Sequence, residues 1–164
     1  MEAFTCLFRR YQHDVLSFML RMTETRADAE DLAQETFVRV YQSLPTLQNP
    51  DRFRSWVWSI AANLCRDHGR ALRHRRHVSI DRDMDLEREM ADPSTSRDPE
   101  MARRVRRALQ TLDDDRRLVI VLREYHGLSH REIAQITACP EGTVRWRLHD
   151  ARQRLRHELS DLLN

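Results

Sequence analysis

The residues able to do chemistry in this 164-residue chain are spaced for binding rather than for bond-making. Cys6, Cys65 and Cys139 are far apart and odd in number, which argues against a disulfide framework. Cys65 and His68 would share one face of a helix, yet two ligands do not complete a zinc site. Small buried or half-buried thiols are the simpler reading. No Ser/His/Asp or Cys/His set has the spacing of a nucleophilic centre, and no glycine-rich loop is present to cradle a phosphate. No catalytic residue, metal or cofactor is therefore expected. The strongest pattern runs from Leu128 to Leu155, L-S-H-R-E-I-A-Q-I-T-A-C-P-E-G-T-V-R-W-R-L-H-D-A-R-Q-R-L. It has the outline of a helix-turn-helix. Ser129 and Glu132 match a capping box, Ile133, Ala134 and Ile136 form an apolar side, and Thr137-Ala138-Cys139 make a short turn. Pro140 opens the second helix, where Val144, Leu148, Ala151 and Leu155 define one buried face. The other face shows Arg145, Trp146, His149 and Arg152. Such a helix enters the major groove of DNA with its N-terminal residues at base edges. Arg123, Arg147 and Arg154 suit phosphates, which position a protein without reading sequence. An ordinary helical hairpin with a solvated basic face would have no need of the cap, the turn and E-G-T-V-R together.

The elements that must carry these residues read as helices throughout, with three glycines and no strand-like alternation. A first helix spans about Ala3 to Met22, with Phe4, Leu7, Phe8, Tyr11, Val15, Phe18, Met19 and Met22 as its stripe. A second starts near Arg26–Asp28, with Asp28 placed to cap it, and stops at Pro45. Its stripe is Ala29, Leu32, Ala33, Phe37, Val40, Tyr41 and Leu44. A third spans about Phe53 to Ala71. Trp56 lies on its apolar stripe with Ile60 and Leu64, while Trp58 points elsewhere and is the better candidate for an exposed aromatic face. From Ser79 to Glu100 the chain holds eight acids against three arginines and little that could build a core. This is the reading of a flexible acidic linker. The expected organisation is an N-terminal helical domain over 1–76, a linker over 77–100 and a C-terminal helix-turn-helix domain over 101–164. In the C-terminal part, helices are expected at about Pro99–Leu112, from Asp113–Asp115 to about Tyr125 with Gly127 ending it, and from Pro140 to about Leu163.

The Leu128–Leu155 stretch resembles region 4 of the extracytoplasmic-function (ECF) branch of the sigma-70 family, which carries G-L-S-x-x-E-I-A, a turn, then G-T-V-R/K-S-R-L-x-R-A-R. The N-terminal half is similar to region 2 of the same family through D-A-E-D-L-A-Q-E-T-F-V-R-V-Y (Asp28–Tyr41) and F-R-S-W-V-W-S-I-A-A-N-L-C-R-D-H (Phe53–His68). The resemblance covers about Phe4–Arg76 and Met101–Leu159. It implies an all-α protein of two small helical domains that directs promoter-specific transcription initiation. It implies three partners: bacterial core RNA polymerase (its β′ clamp helices and β flap), promoter DNA and an anti-sigma protein. On this resemblance Asp31, Gln34 and Glu35 occupy the polymerase-binding places. Trp56, Trp58, Asn63, Arg66 and Arg70, with the loop at about Leu47–Arg54, fall where the opened −10 element is captured, and aromatic faces with cations suit a single strand. Arg145, Trp146, His149 and Asp150 map to the −35 readers, and Thr143 and Arg152 lie on the same helix. Arg123, His130 and Arg147 fall near phosphates. Trp146 and Asp150 depart from the family pattern, which has a small residue and an arginine there, so an unusual −35 preference is expected.

The bulk composition excludes more than it asserts. Net charge is +2, and all 28 basic residues are arginine. Arginine offers a planar fork for phosphate and guanine, although a GC-rich genome would produce the same bias. Mean hydropathy is −0.72, no apolar run approaches the roughly 18 residues that span a bilayer, and Met1–Arg10 has no secretory core, so a cytoplasmic protein is expected. A stand-alone helix-turn-helix regulator remains a competing reading, but it has no use for the Asp28–Phe37 motif. A sigma mimic that sequesters anti-sigma proteins is another, and the retained Arg145, Arg147 and Asn63 argue against it.

Overall fold

The computed structural model describes residues 2–78 and 98–160. Seven α-helices form among the described residues: α1 (Glu2–Met22), α2 (Arg26–Ser43), α3 (Phe53–Val78), α4 (Pro99–Gln110), α5 (Asp114–Glu124), α6 (His130–Thr137) and α7 (Glu141–Glu158). The acidic stretch read as a linker lies largely outside the described residues, as does the expected end of the last helix.

Helices α1 to α3 pack as one bundle through the apolar faces that they turn to one another. Val15, Phe18 and Met19 of α1 meet Ala29, Ala33, Phe37 and Val40 of α2, and Val57, Ala61 and Ala62 of α3 close the core. The start of α2 differs from the expectation. Thr25, in extended conformation, is the N-cap, and its hydroxyl oxygen accepts from the Asp28 backbone N–H at 3.1 Å. Asp28 stands within the first turn, where its charge suits the helix dipole. Helix α3 runs on to Val78, past the apolar stripe, with Arg75, Arg76 and His77 in its last turn favourable to the C-terminal carbonyls. Cys65 turns into the core with its Sγ 3.3 Å from the Met19 Sδ, and burial pushes the thiol up to about 12. His68 lies on a different neighbour, 3.8 Å from Asp28.

Helices α4 to α7 form the second bundle around α5. Five consecutive residues of α5, Leu118 to Leu122, are buried. A helix buried on every side has no solvent face. One side of α5 packs on α6 and α7, and another packs on α1 and α3. The two bundles therefore share one continuous core. Arg117, at the N-terminal end of α5, is also buried. Its guanidinium donates to the Leu109, Gln110 and Leu112 carbonyls at 3.0, 3.2 and 2.8 Å. These are the orphan carbonyls at the end of α4, which a charged donor satisfies in place of water.

Candidate nucleic-acid interface

Helix α6 and the turn that follows it are fixed by local hydrogen bonds at both ends. The Ser129 hydroxyl oxygen accepts from the Glu132 N–H at 3.1 Å, and the Glu132 carboxylate accepts from the Ser129 N–H at 2.7 Å. Ala138 closes α6 in the left-handed region, φ 51° and ψ 42°, which aims Pro140 into α7. Val144, Leu148 and Ala151 are buried with Leu155 beside them, as their spacing requires. Arg145, Trp146, His149 and Arg152 are exposed, and Trp146 is 56% exposed.

Ion pairs fasten this helix from behind. Arg147 meets Asp115 at 2.7 Å, and Asp150 takes both Arg116 and, at 2.9 Å, Arg154. Hydrogen bonds from Arg116, then Arg154, hold the Asp150 carboxyl below the usual carboxylate range. Arg116 also reaches Asp113, and its guanidinium lies 4.9 Å from the centre of the Trp146 ring. Arg145 pairs with Glu141 at 3.1 Å, and Arg152 with Glu124 at 2.5 Å. Arg123 is half-buried and donates to the Leu128 carbonyl at 2.8 Å, so its fork is spent largely on the corner between α5 and α6.

On the other bundle, Asp31 and Gln34 are exposed and Glu35 is half-buried, pairing with Arg39 at 2.8 Å. All three lie away from Ala33, Phe37 and Val40. Beside them an open apolar groove of about 630 Å³ runs between α1 and α2, lined by Phe4, Phe8, Leu16, Phe37, Val38 and Tyr41. On α3, Asn63 is exposed and makes no hydrogen bond among the described residues, and Arg70 is exposed 3.7 Å from Asp67. Arg66 instead turns across the molecule and donates to the Thr137 carbonyl at 3.2 Å. Trp56 is half-buried, its ring 5.9 Å from that of Phe53.

Trp58 corrects the sequence reading. It is 2% exposed, its ring 5.4 Å from Phe18 and 4.2 Å from His126. The face of α3 that looks solvent-exposed within the first bundle is covered by the corner after α5. His126 pays for that burial: desolvation, then the Arg21 and Arg54 charges, push its imidazole down to about 4. Its Nε2 has no hydrogen-bond partner.

Residues 7–76 match the family profile described as Sigma-70 region 2, and residues 102–155 match Sigma-70, region 4. The chain is 38% identical to the RNA polymerase sigma factor CarQ of Myxococcus xanthus, over 98% of this chain and 91% of that one. It is 34% identical to the ECF RNA polymerase sigma-E factor of Escherichia coli K12, over 99% and 89%. The chain belongs to the ECF branch of the sigma-70 family. Its fold matches that of a solved sigma factor, RpoE of Bartonella quintana in complex with the anti-sigma factor NepR, with a TM-score of 0.85, 22% identity and 98% of each chain covered.

This sigma factor therefore carries four of its candidate −35 residues, Arg145, Trp146, His149 and Arg152, on one exposed edge of α7, while its candidate −10 residues are divided. Asn63 and Arg70 face solvent. Arg66 and Trp58 face the second bundle. His130 and Thr143 are half-buried at the starts of α6 and α7. Arg116 escaped the sequence reading: it lies 34 residues from Asp150, and the one available hint was an acid at 150 where the family carries arginine. No helix among the described residues is long and apolar enough to cross a membrane.

Proposed function

We propose that this sigma factor joins core RNA polymerase through Asp31, Gln34 and Glu35, reads the −35 element as duplex with α7, and captures the opened −10 element on α3. Residues 1–76 and 101–164 act as the two modules. Arg145, Trp146 and His149 face base edges, with Thr143 and Arg152 beside them. Arg147 and His130 sit behind that edge, where phosphates pass. Asn63 offers a donor and an acceptor to a flipped base, with Arg66, Arg70 and Trp56 along the strand. Stacking and hydrogen bonds to extruded bases offset unpairing, so opening needs no bond-making chemistry from this chain. The factor works where polymerase works, in the cytoplasm. An anti-sigma partner covering the acidic face of α2 and the apolar groove beside it would silence the protein; a sigma factor of this fold is known in complex with the anti-sigma factor NepR.

The observation that carries this reading is the α6–α7 pair: a closed capping box, a left-handed turn and a second helix whose exposed edge holds Arg145, Trp146 and His149. The test is competition for bacterial core polymerase, followed by transcription from a promoter library. A holoenzyme that initiates at a defined −35/−10 pair is expected. Asn63→Ala and Arg145→Ala each reduce transcription at least tenfold, a loss of about 1.4 kcal/mol within the range of one good base contact. Duplex binding without any affinity for core polymerase would overturn the proposal and favour a stand-alone regulator.

A further inference from the structure

We propose that Trp146 reads a pyrimidine 5-methyl group in the −35 major groove, and that Arg116, a positioning residue outside the reading helix, holds the indole for that contact. This rests on the assignment of α7 to the −35 element. The distances behind it belong to this chain's own residues. Trp146 is the most exposed of the three tryptophans, at 56%, and lies between Arg145 and His149 on the exposed edge of α7. It is not a loose side chain. The Arg116 guanidinium stands 4.9 Å from its ring centre, within cation–π range. Arg116 has little freedom to leave: Asp113 and Asp150 hold its fork from two sides, and its side chain is only 19% exposed. Asp150 is itself fixed by Arg154 at 2.9 Å.

The arrangement has two consequences. The Asp150 carboxylate is committed to two arginines, so it is not presented as an acceptor for cytosine N4, and its charge towards passing phosphates is compensated. Arg116, committed to two carboxylates, keeps its guanidinium carbon 4.9 Å from the indole centre and has few N–H groups left for DNA. What reaches outward is an apolar ring in a fixed orientation. Fixing it beforehand removes the ordering cost that a free rotamer would incur on binding. The major groove presents one apolar feature, the thymine C5-methyl, and a methyl placed on cytosine C5 occupies the same position. Arg145 and His149, on either side, supply the polar contacts that fix register.

The experiment uses the full-length chain in holoenzyme with core polymerase on its preferred promoter. Each −35 thymine is replaced singly by uracil, which removes only the methyl group, and each cytosine by 5-methylcytosine. One position is expected to lose about fourfold in promoter binding with uracil, the worth of burying one methyl group. Trp146→Ala abolishes that difference and Trp146→Phe retains part of it. Arg116→Gln shrinks it, and Arg116→Lys, which keeps a cation over the ring, preserves more. Thermal melts of each variant show whether the domain is folded, and a merely structural role for Arg116 would lower binding equally on thymine and uracil promoters. That uniform loss overturns the positioning role. Insensitivity to uracil at every −35 position overturns the methyl contact, and if Arg145→Ala still broadens the −35 preference, the −35 assignment survives that result. If neither Arg145→Ala nor Trp146→Ala changes any −35 preference, the assignment of α7 fails and this inference falls with it.

Discussion

Trp58 and Trp146 sit at opposite limits of exposure, 2% and 56%, although both were candidates for contact with nucleic acid. Trp58 fills the junction between Phe18 and His126. Replacing it by alanine removes a large buried ring and leaves a cavity, at a cost of about 3–5 kcal/mol. Trp58→Phe should cost clearly less, because most of the apolar volume stays. Asn63→Ala, on the exposed side of the same helix, should stay within about 0.5 kcal/mol of the parent. Chemical denaturation of the three variants checks the order. A Trp58→Ala protein with unchanged stability but lost promoter opening would return Trp58 to the −10 surface. Side-chain roles on α7 were legible from sequence because its buried and exposed faces alternate within one helix. The role of Trp58 was not, because the surface that covers it comes from residues some 70 positions away.

At the scale of elements, helix α6 and both of its ends are specified within ten residues, Ser129 to Ala138. Ser129 and Glu132 satisfy each other's backbone N–H groups, so the cap was readable from a spacing of three. The start of α2 was harder, since Thr25 and Asp28 are both good acceptors within one turn, and geometry selects Thr25. The extension of α3 to Val78 was missed because its last turns carry arginine and histidine without an apolar stripe; Arg76 nevertheless finds Glu24 at 2.5 Å. Ala138 is the one non-glycine residue with positive φ among those described. A Cβ in that region costs about 1–2 kcal/mol, and glycine returns part of the gain as unfolded-chain entropy. Ala138→Gly should therefore stabilise the protein by roughly 0.5–1 kcal/mol and raise Tm by about 2 °C, whereas Ser129→Ala should cost about 1 kcal/mol. A circular-dichroism melt in which Ala138→Gly lowers Tm would show that the turn depends on the alanine methyl for packing.

At the scale of the whole molecule, the two modules are docked through contacts between residues far apart in sequence. Arg73 of α3 pairs with Asp114 of α5, Arg54 donates to the His126 carbonyl and stands 3.9 Å from Glu132, and Arg66 donates to the Thr137 carbonyl. None of this was visible in local periodicity, except that an apolar run with no polar face, Leu118–Leu122, asks for a second partner. Docking places Arg66 and Trp58 against the second bundle, so capture of the −10 strand by Arg66 requires the modules to part. His126 sets a pH dependence on that parting. Its ring lies among Trp58, Phe18, Arg21 and Arg54, with Glu132 beyond Arg54, and its folded value of about 4 is below the ordinary 6.5. The docked state therefore binds the proton more weakly than the open one. Docking is at full strength above about pH 6.5 and weakens as pH falls towards 4, by on the order of 2 kcal/mol at about pH 5. Small-angle scattering should show a larger radius of gyration at about pH 5 than at about pH 7.5, and His126→Gln should flatten that difference. Gly69 supplies a second handle. A Cβ there would stand 2.9 Å from the Asp114 carboxylate, so that side chain must shift and its pair with Arg73 is disturbed, while alanine itself favours α3 by about 1 kcal/mol. An exposed pair is worth at most about 1 kcal/mol beside the shared apolar core, so Gly69→Ala should leave the molecule docked at about pH 7.5 and shift its opening to a slightly higher pH. A Gly69→Ala protein that opens at the same pH as the parent, with a pH profile that His126→Gln also leaves unchanged, would mean that the docked surface does not govern opening.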